Sequence, residues 1–365
     1  MFLFNLPEDV LLLVLSYLDN RSLCRLSQAC RRSYQFISRD AVWRRIAKGI
    51  INTGLTRQGI DLCPSISLKD RVRVSHNWSR GVCRTEVLLK WKINLLPWIQ
   101  LDCDVLYLSQ AANISAYHLR ARGGKLQNNR VALFTGHQED VCRFILTDTH
   151  LISAGGDGKI IVHDRGSEYS IAYNGHKQEV NCIDAKGGVI VSGSRDRTAK
   201  IWTLTSDRPG ECLHTIPTYD RVWSVAISPS LWCHLVSCLG TEFRRGAGVL
   251  DIVYESPFQL LTCGYDTFIR YWDLRVCTRK CVMEWEEPHD SALYCIKTDK
   301  NHMIASGSSY YGVVRLWDKR QTRCLQMFQL APTTSSPIYS LCFNTTHLYA
   351  AVASVLYSLN FRTVM

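Results

Sequence analysis

Two stretches of this chain repeat each other in register. In the first, Gly136-His137 is followed by Ser153, Asp157 and His163-Asp164; in the second, Gly175-His176 is followed by Ser192, Asp196 and Ile201-Trp202. From His to Ser is 16 residues in both, from Ser to Asp 4, from Asp to the aromatic position 6, and the copies lie 39 residues apart. One Gly-His pair is an ordinary turn. Two copies in identical register confine the chain to a repeat architecture with a period near 40.

This pattern resembles a WD-repeat propeller blade, a four-stranded antiparallel sheet with strands a to d. The resemblance implies His in the loop entering strand a, Ser on strand b, Asp in the b–c turn and Trp on strand c. Their side chains then link as Trp N–H to Ser to His to Asp, a buried chain in which each polar member needs a partner. These His and Asp residues therefore read as structural. A hydrolase built on His163-Asp164 or His176 would need a nucleophile in a shared pocket, and the sequence offers none.

With 365 residues, 46% of them hydrophobic, the chain has room for a small domain plus a propeller with a sizeable core. The net charge of +11 raises the question of nucleic acid, but the arginines are scattered and no nucleic-acid motif is present, so direct nucleic-acid binding is not expected. Among the sixteen cysteines there is no C-x-x-C pair; Cys142, Cys182, Cys295 and Cys342 fall in predicted a strands as small core residues, reduced in a reducing compartment. Neither a metal site nor a cofactor is expected. The apolar run Val10 to Leu18 lacks the basic start and cleavage site of a signal peptide and is too short to span a bilayer, so no membrane partner is expected.

Residues 1–48 read as an all-α module. Pro7 and the carboxylates of Glu8 and Asp9 suit a helix start. Val10, Leu11, Val14, Leu15 and Leu18 follow at helical spacing. Asp19 to Ser22 reads as a turn with Ser22 the candidate N-cap. A second helix carries Leu23 and Leu26, and a third runs from Ser38 to Ile46 with Trp43. So small a module cannot bury all the apolar surface it offers, and the surplus marks a partner site. The order Leu6-Pro7-Glu8-Asp9-Val10-Leu11, then Tyr17-Leu18-Asp19, Leu23, Leu26, Cys30-Arg31 and Trp43 closely resembles an F-box. The resemblance implies docking on a Skp-type adaptor through Leu6, Pro7, Leu11, Val14, Leu18, Leu23 and Leu26, about two thirds of them touching the partner, and through the adaptor a cullin-RING ubiquitin ligase core.

Residues 49–85 read as a linker holding a short basic helix from Leu68 to Trp78, packed beneath the propeller. Residues 86–365 read as the WD-repeat β-propeller, about seven blades. Blade 1 is inferred from rhythm alone, with strands at 96–101, 104–109, 113–119 and 130–135. Blade 4 begins with strand a at Arg221 to Ile227 but is short: Asp196 and Asp266 are 70 residues apart where two periods need about 80, and only the apolar run Leu235 to Leu239 follows before a loop-like Glu242 to Gly248. Blade 5 carries Thr262, Asp266 and Tyr271-Trp272-Asp273; blade 6 carries His289, Ser306 and Trp317, with Tyr310-Tyr311 in a b–c turn one residue longer. Blade 7 has room for three strands, and an unfilled edge is a liability. The lone strand 87–92 is predicted to fill it and close the ring.

On a propeller the loops before strand a and between b and c share one face. Here that face carries Arg195, Arg197, Tyr219, Arg221, Tyr265 and Tyr310 as candidate substrate-binding residues, beside Gln138, Asp220 and Tyr311. Arginines pair with carboxylate or phosphate and tyrosines give rigid apolar area. Related F-box/WD-repeat proteins capture a degron peptide there, some through arginines, which suggests an acidic or phosphorylated ligand. The alternative for Arg195 and Arg197 is that they only flank the turn Asp196. The combined resemblance, carried most closely by Gly264-Tyr265-Asp266-Thr267, Arg270-Tyr271-Trp272-Asp273 and Ser308-Ser309-Tyr310-Tyr311-Gly312, is to the F-box/WD-repeat subfamily that includes dactylin. It implies the substrate receptor of an SCF-type (Skp-cullin-F-box) ubiquitin ligase, itself non-catalytic, acting on a protein substrate destined for proteasomal degradation in cytoplasm or nucleus. A non-ligase WD-repeat scaffold is the alternative.

Overall fold

The computed structural model describes residues 6–120, 125–204, 209–230, 248–276, 280–331 and 335–362. It opens with four short helices, α1 (Glu8–Ser16), α2 (Asn20–Ser27), α3 (Arg31–Ile37) and α4 (Asp40–Lys48), one more than the periodicity predicts. The extra helix α3 is too short to show an amphipathic period and is set by a local device: the Cys30 Sγ accepts from the Ser33 N–H while the Ser33 hydroxyl accepts from the Cys30 N–H, a reciprocal cap. Helix α2 is capped by Asp19, whose carboxylate accepts from the Ser22 N–H, so the expected N-cap at Ser22 lies two residues inside the helix. Leu11, Leu15, Leu23, Ile37, Val42 and Trp43 form the helical core.

Helix α5 (Leu68–Arg80) joins this core to the sheets. Its Leu68 and Val72 face the helical cluster, while Val74 and Trp78 belong to the cluster under the propeller. Ser67 caps its start and Gly81 ends it in the left-handed region at φ +69. The Trp78 ring is fully buried, stacks on Phe361 at 3.7 Å between centroids, and donates its Nε1–H to the Thr345 carbonyl at 2.9 Å.

Among the described residues the strands form six four-stranded antiparallel sheets. Sheet 6 begins with β1 (Arg84–Lys90), the first strand in the chain. Sheet 1 holds β2 (Ile99–Asp102), β3 (Val105–Gln110), β4 (Asn113–Leu119) and β5 (Leu126–Phe134); sheet 2 holds β6 (Val141–Leu146), β7 (His150–Gly155), β8 (Ile160–Asp164) and β9 (Ser170–Tyr173). Sheet 3 holds β10 (Val180–Lys186), β11 (Val189–Ser194), β12 (Thr198–Thr203) and β13 (Cys212–Pro217), and sheet 4 holds β14 (Val249–Tyr254), β15 (Gln259–Gly264), β16 (Phe268–Asp273) and β17 (Met283–Glu286). Sheet 5 holds β18 (Leu293–Thr298), β19 (Met303–Ser308), β20 (Val313–Asp318) and β21 (Cys324–Gln329); β22 (Ser340–Phe343), β23 (His347–Val352) and β24 (Val355–Asn360) complete sheet 6. The predicted closure is present: β1 pairs antiparallel with β24, Val87 opposite Tyr357. No described helix is long and apolar enough to cross a membrane.

The blade count is a correction, six rather than about seven. Where the sequence predicts blade 4, residues 221–228 pair into no further sheet among the described residues. They dock on sheet 3 as an inner strand would. The Val222 N–H donates to the Ser194 carbonyl at 3.0 Å, just as the Ile338 N–H donates to the Ser308 carbonyl of sheet 5 at 3.0 Å. The close approach demands glycine opposite: a Cβ on Gly193 would stand 2.4 Å from Val222, and one on Gly307 2.6 Å from Ile338. The cause is length. The interval is too short for two full periods, and Pro229, which has no N–H to donate, follows the segment. The apolar run Leu235 to Leu239 and most of the loop-like Glu242 to Gly248 lie outside the described residues.

The candidate receptor faces

The predicted polar chain is complete in sheet 3. Trp202 Nε1–H donates to the Ser192 hydroxyl at 2.9 Å, Ser192 meets His176 Nε2 at 2.7 Å, and His176 Nδ1 meets Asp196 at 3.0 Å. Burial raises the Asp196 carboxyl, but the Thr198 hydroxyl, the Lys177 N–H and His176 outweigh it and hold the group at about 2. Burial pushes His176 down. In sheet 2 His137 bridges Ser153 at 2.9 Å and Asp157 at 3.0 Å, and His163 stands where sheet 3 has Trp202, its imidazole pushed down to about 4 by burial and then by His137. Enclosed imidazoles with these partners fasten strands together.

Among the described residues, sheets 4 and 5 keep only the Trp link. Trp272 donates to Thr262 and Trp317 to Ser306, both at 2.9 Å. Asp266 is held by Arg270 instead of a histidine. In sheet 5 His289 is exposed, and the buried Glu287 receives the Arg315 Nε–H at 2.8 Å. That internal ion pair has no periodic signature in the sequence. The b–c turn of sheet 5 is one residue longer, Ser309 to Gly312 against Arg195 to Arg197 in sheet 3, with Tyr311 and Gly312 at positive φ.

The helical module presents two kinds of leucine. Leu6, Pro7 and Val14 are exposed, and Val10, Leu13 and Tyr17 extend the same apolar surface. Leu18 and Leu26 are half-buried. Leu11 (2% exposed) and Leu23 (0%) sit inside the helical core, among the part of the set expected to pack internally rather than touch the adaptor. Helical spacing identifies the apolar set but does not separate the side that packs from the side left over. Val10, Leu13 and Tyr17 were missed as surface candidates for that reason.

The six candidate residues of the propeller are all on the face of the d–a and b–c loops. Arg195 and Arg197 flank Asp196 in the b–c turn of sheet 3, where Arg197 adopts φ +64. With Gln178, Asp220 and Arg221 they line a cavity of about 320 Å³. Arg195 lies 3.6 Å from Glu179, and Arg221 4.0 Å from Asp220. Tyr219 stands fully in solvent, and Tyr310 and Tyr311 are exposed, with ring centroids 6.1 Å apart. Tyr265 belongs to a row that the sequence did not reveal. The Arg221 guanidinium lies 5.3 Å over the Trp223 ring, and rings then follow edge-to-face: Trp223 to Tyr265 at 5.9 Å, Tyr265 to Tyr294 at 6.3 Å, Tyr294 to Tyr339 at 5.8 Å. The signal available was positional, since Trp223, Tyr294 and Tyr339 each sit at or near the start of an inner strand.

The helical module is fastened to the opposite face, the one carrying the a–b loops. The Asn52 N–H donates to Asp299 at 2.8 Å, the Asn52 amide to the Asn344 carbonyl at 2.9 Å, Asn301 to the Lys48 carbonyl at 3.1 Å and Arg320 to the Gly49 carbonyl at 2.8 Å.

The F-box-like family model matches residues 3–48, and the WD domain, G-beta repeat model matches residues 167–203 and 279–318. The chain is 55% identical over 383 residues to F-box/WD repeat-containing protein 4 of Homo sapiens, covering 99% of this chain and 93% of the relative; the protein of the same name from Mus musculus matches to the same extent. The aligned span exceeds the 365 residues of this chain, so these relatives carry residues that it lacks. Among solved structures the WD40 repeats of RRP9 align with a TM-score of 0.61 at 15% identity, covering 76% of this chain and 97% of that one, a likeness of fold alone.

Proposed function

The chain belongs to the F-box/WD-repeat family, and from that premise we propose that it is the substrate receptor of an SCF-type ubiquitin ligase. The observation that carries the reading is the placement of two exposed surfaces on opposite ends of one fastened body. Leu6, Pro7, Val10, Leu13, Val14 and Tyr17 form the apolar surface offered to a Skp-type adaptor, and through it to a cullin-RING core. Arg195, Arg197, Arg221, Tyr265, Tyr219 and Tyr310 lie on the far face of the propeller, offered to a degron of a protein substrate.

The chain performs no bond-making step in this reading. It works by proximity: holding substrate and ligase core on one scaffold turns an encounter between separate molecules into an intramolecular one, at an effective concentration set by the span and stiffness of the linkage. The hydrogen bonds at Asn52, Asn301, Arg320 and Trp78, with the buried α5, supply stiffness. A substrate lysine is thereby presented to a charged conjugating enzyme in cytoplasm or nucleus, and the modified substrate passes to the proteasome.

The test is reconstitution with purified adaptor and cullin-RING core. The full chain is expected to bind both, and Leu6→Ser with Val14→Ser to lose adaptor binding at least tenfold while unfolding at the same denaturant concentration as the parent. Adaptor binding without recruitment of the cullin would sink the ligase assignment and leave a WD-repeat scaffold. Unchanged binding by the double variant would reject the α1 surface.

A further inference from the structure

We propose that the aromatic row on the face of the d–a and b–c loops is the primary recognition element of this face, and that it takes an extended, unphosphorylated peptide carrying an aromatic anchor beside a single carboxylate. The inference rests on the receptor reading above and names the ligand class of the same face.

Three of the four rings come from inner strands or their approaches and one from a b–c turn. Trp223 comes from the 221–228 segment, Tyr265 from the b–c turn of sheet 4, Tyr294 from β18 and Tyr339 from the residue before β22. All four rings are partly exposed. Their three steps of 5.8–6.3 Å make a path of roughly 18 Å, the length of about five residues of extended chain. Alternating tilts present both ring edges and ring faces, which is what an incoming aromatic side chain packs against. Aromatic side chains are enriched among the residues that carry binding energy.

Charge decides against phosphate. The cavity is lined by three arginines and two carboxylates, Asp196 and Asp220, and Glu179 lies beside Arg195, so at most one positive charge is left over, too little to meet a dianion. A phosphate would also compete with the Arg195–Glu179 and Arg221–Asp220 pairs. Arg197 alone makes no ion pair with a carboxylate among the described residues, and its exposed guanidinium suits one singly charged group. The cavity, about 320 Å³, is at the small end of binding pockets and fits one side chain. Arg221, stacked over Trp223, joins the cavity to the row.

The experiment uses the full chain bound to its adaptor, probed with two synthetic heptapeptide arrays, one unmodified and one with a fixed central phosphoserine. The expected result is binding on the unmodified array with an aromatic residue required at one position. Binding of those peptides falls at least tenfold in Tyr265→Ser and in Trp223→Ala, and about threefold in Arg197→Ala. Tyr265 is 39% exposed, so its variant keeps the fold, and unchanged adaptor binding checks this. Peptides without aromatic preference, or binding that survives Tyr265→Ser, overturn the anchor. Binding confined to the phosphoserine array and lost in Arg197→Ala overturns the ligand class while leaving the receptor reading intact. No binding on either array overturns both.

Discussion

Replacing Trp78 by alanine tests whether helical module and propeller are one mechanical unit. The Trp78 side chain is wholly enclosed, stacked on Phe361 at 3.7 Å, tilted against Phe343 at 5.9 Å and bonded to the Thr345 carbonyl. A buried Trp removes about 200 Å² from water, worth about 5 kcal/mol at ~25 cal/mol per Å². Trp-to-Ala substitutions in cores cost about 3–5 kcal/mol, and the orphaned Thr345 carbonyl adds about 1 kcal/mol. The expected loss of about 4–6 kcal/mol is a large part of the stability of an ordinary protein. Trp78→Phe keeps a ring against Phe361 and loses the hydrogen bond, for about 1–2 kcal/mol. Urea unfolding gives the magnitudes, and amide hydrogen exchange gives the location. Protection is expected to fall in α4 and in sheet 6 together, because α5 feeds both clusters. A loss under about 1 kcal/mol, or one confined to the helices, would refute the argument.

Three further predictions follow from the buried polar groups and the helix end. Glu287→Ala leaves the Arg315 guanidinium enclosed without its partner and is expected to cost about 3–5 kcal/mol in urea unfolding, while Glu287 and Arg315 replaced together by apolar residues recover most of it. Gly81→Ala puts a Cβ 2.6 Å from Gln326 in left-handed backbone and is expected to cost about 1–2 kcal/mol by thermal unfolding. Asp196 is held at about 2, below its unfolded value. Its contribution is therefore present above about pH 4 and lost as pH falls toward 2, and Asp196→Asn is expected to flatten that part of the acid-unfolding curve followed by circular dichroism.

Much of the propeller is written into the chain because its signals are local and repeated. His176, Ser192, Asp196 and Trp202 occur at fixed offsets, so one blade could be read without knowing its neighbours, and the three-strand remainder at the C-terminus called for β1. The missed features are those that depend on partners distant in sequence. Blade 4 could be counted as short, but that 221–228 would dock alone against Gly193 depends on the shape of sheet 3. Glu287 replaces a histidine only because Arg315 reaches it across the sheet. Leu11 and Leu13 look alike in a list of apolar residues, and only the packing of α4 against α1 sends one inward. The aromatic row spans more than a hundred residues of sequence and exists only once the inner strands stand side by side.

The pairing of β1 with β24 also sets a timetable. Val87 meets Tyr357, about 270 residues later in the chain. At ribosomal speeds of about 5–20 residues per second, β1 waits roughly tens of seconds for its partner to emerge. Throughout that interval one strand edge is bare at each end of a growing arc, and the entropic cost of joining them is met in a single late step. Loss of even the last six residues of sheet 6 would leave the arc open permanently, so a frameshift or nonsense change near the C-terminus acts on the first strand as directly as on the last.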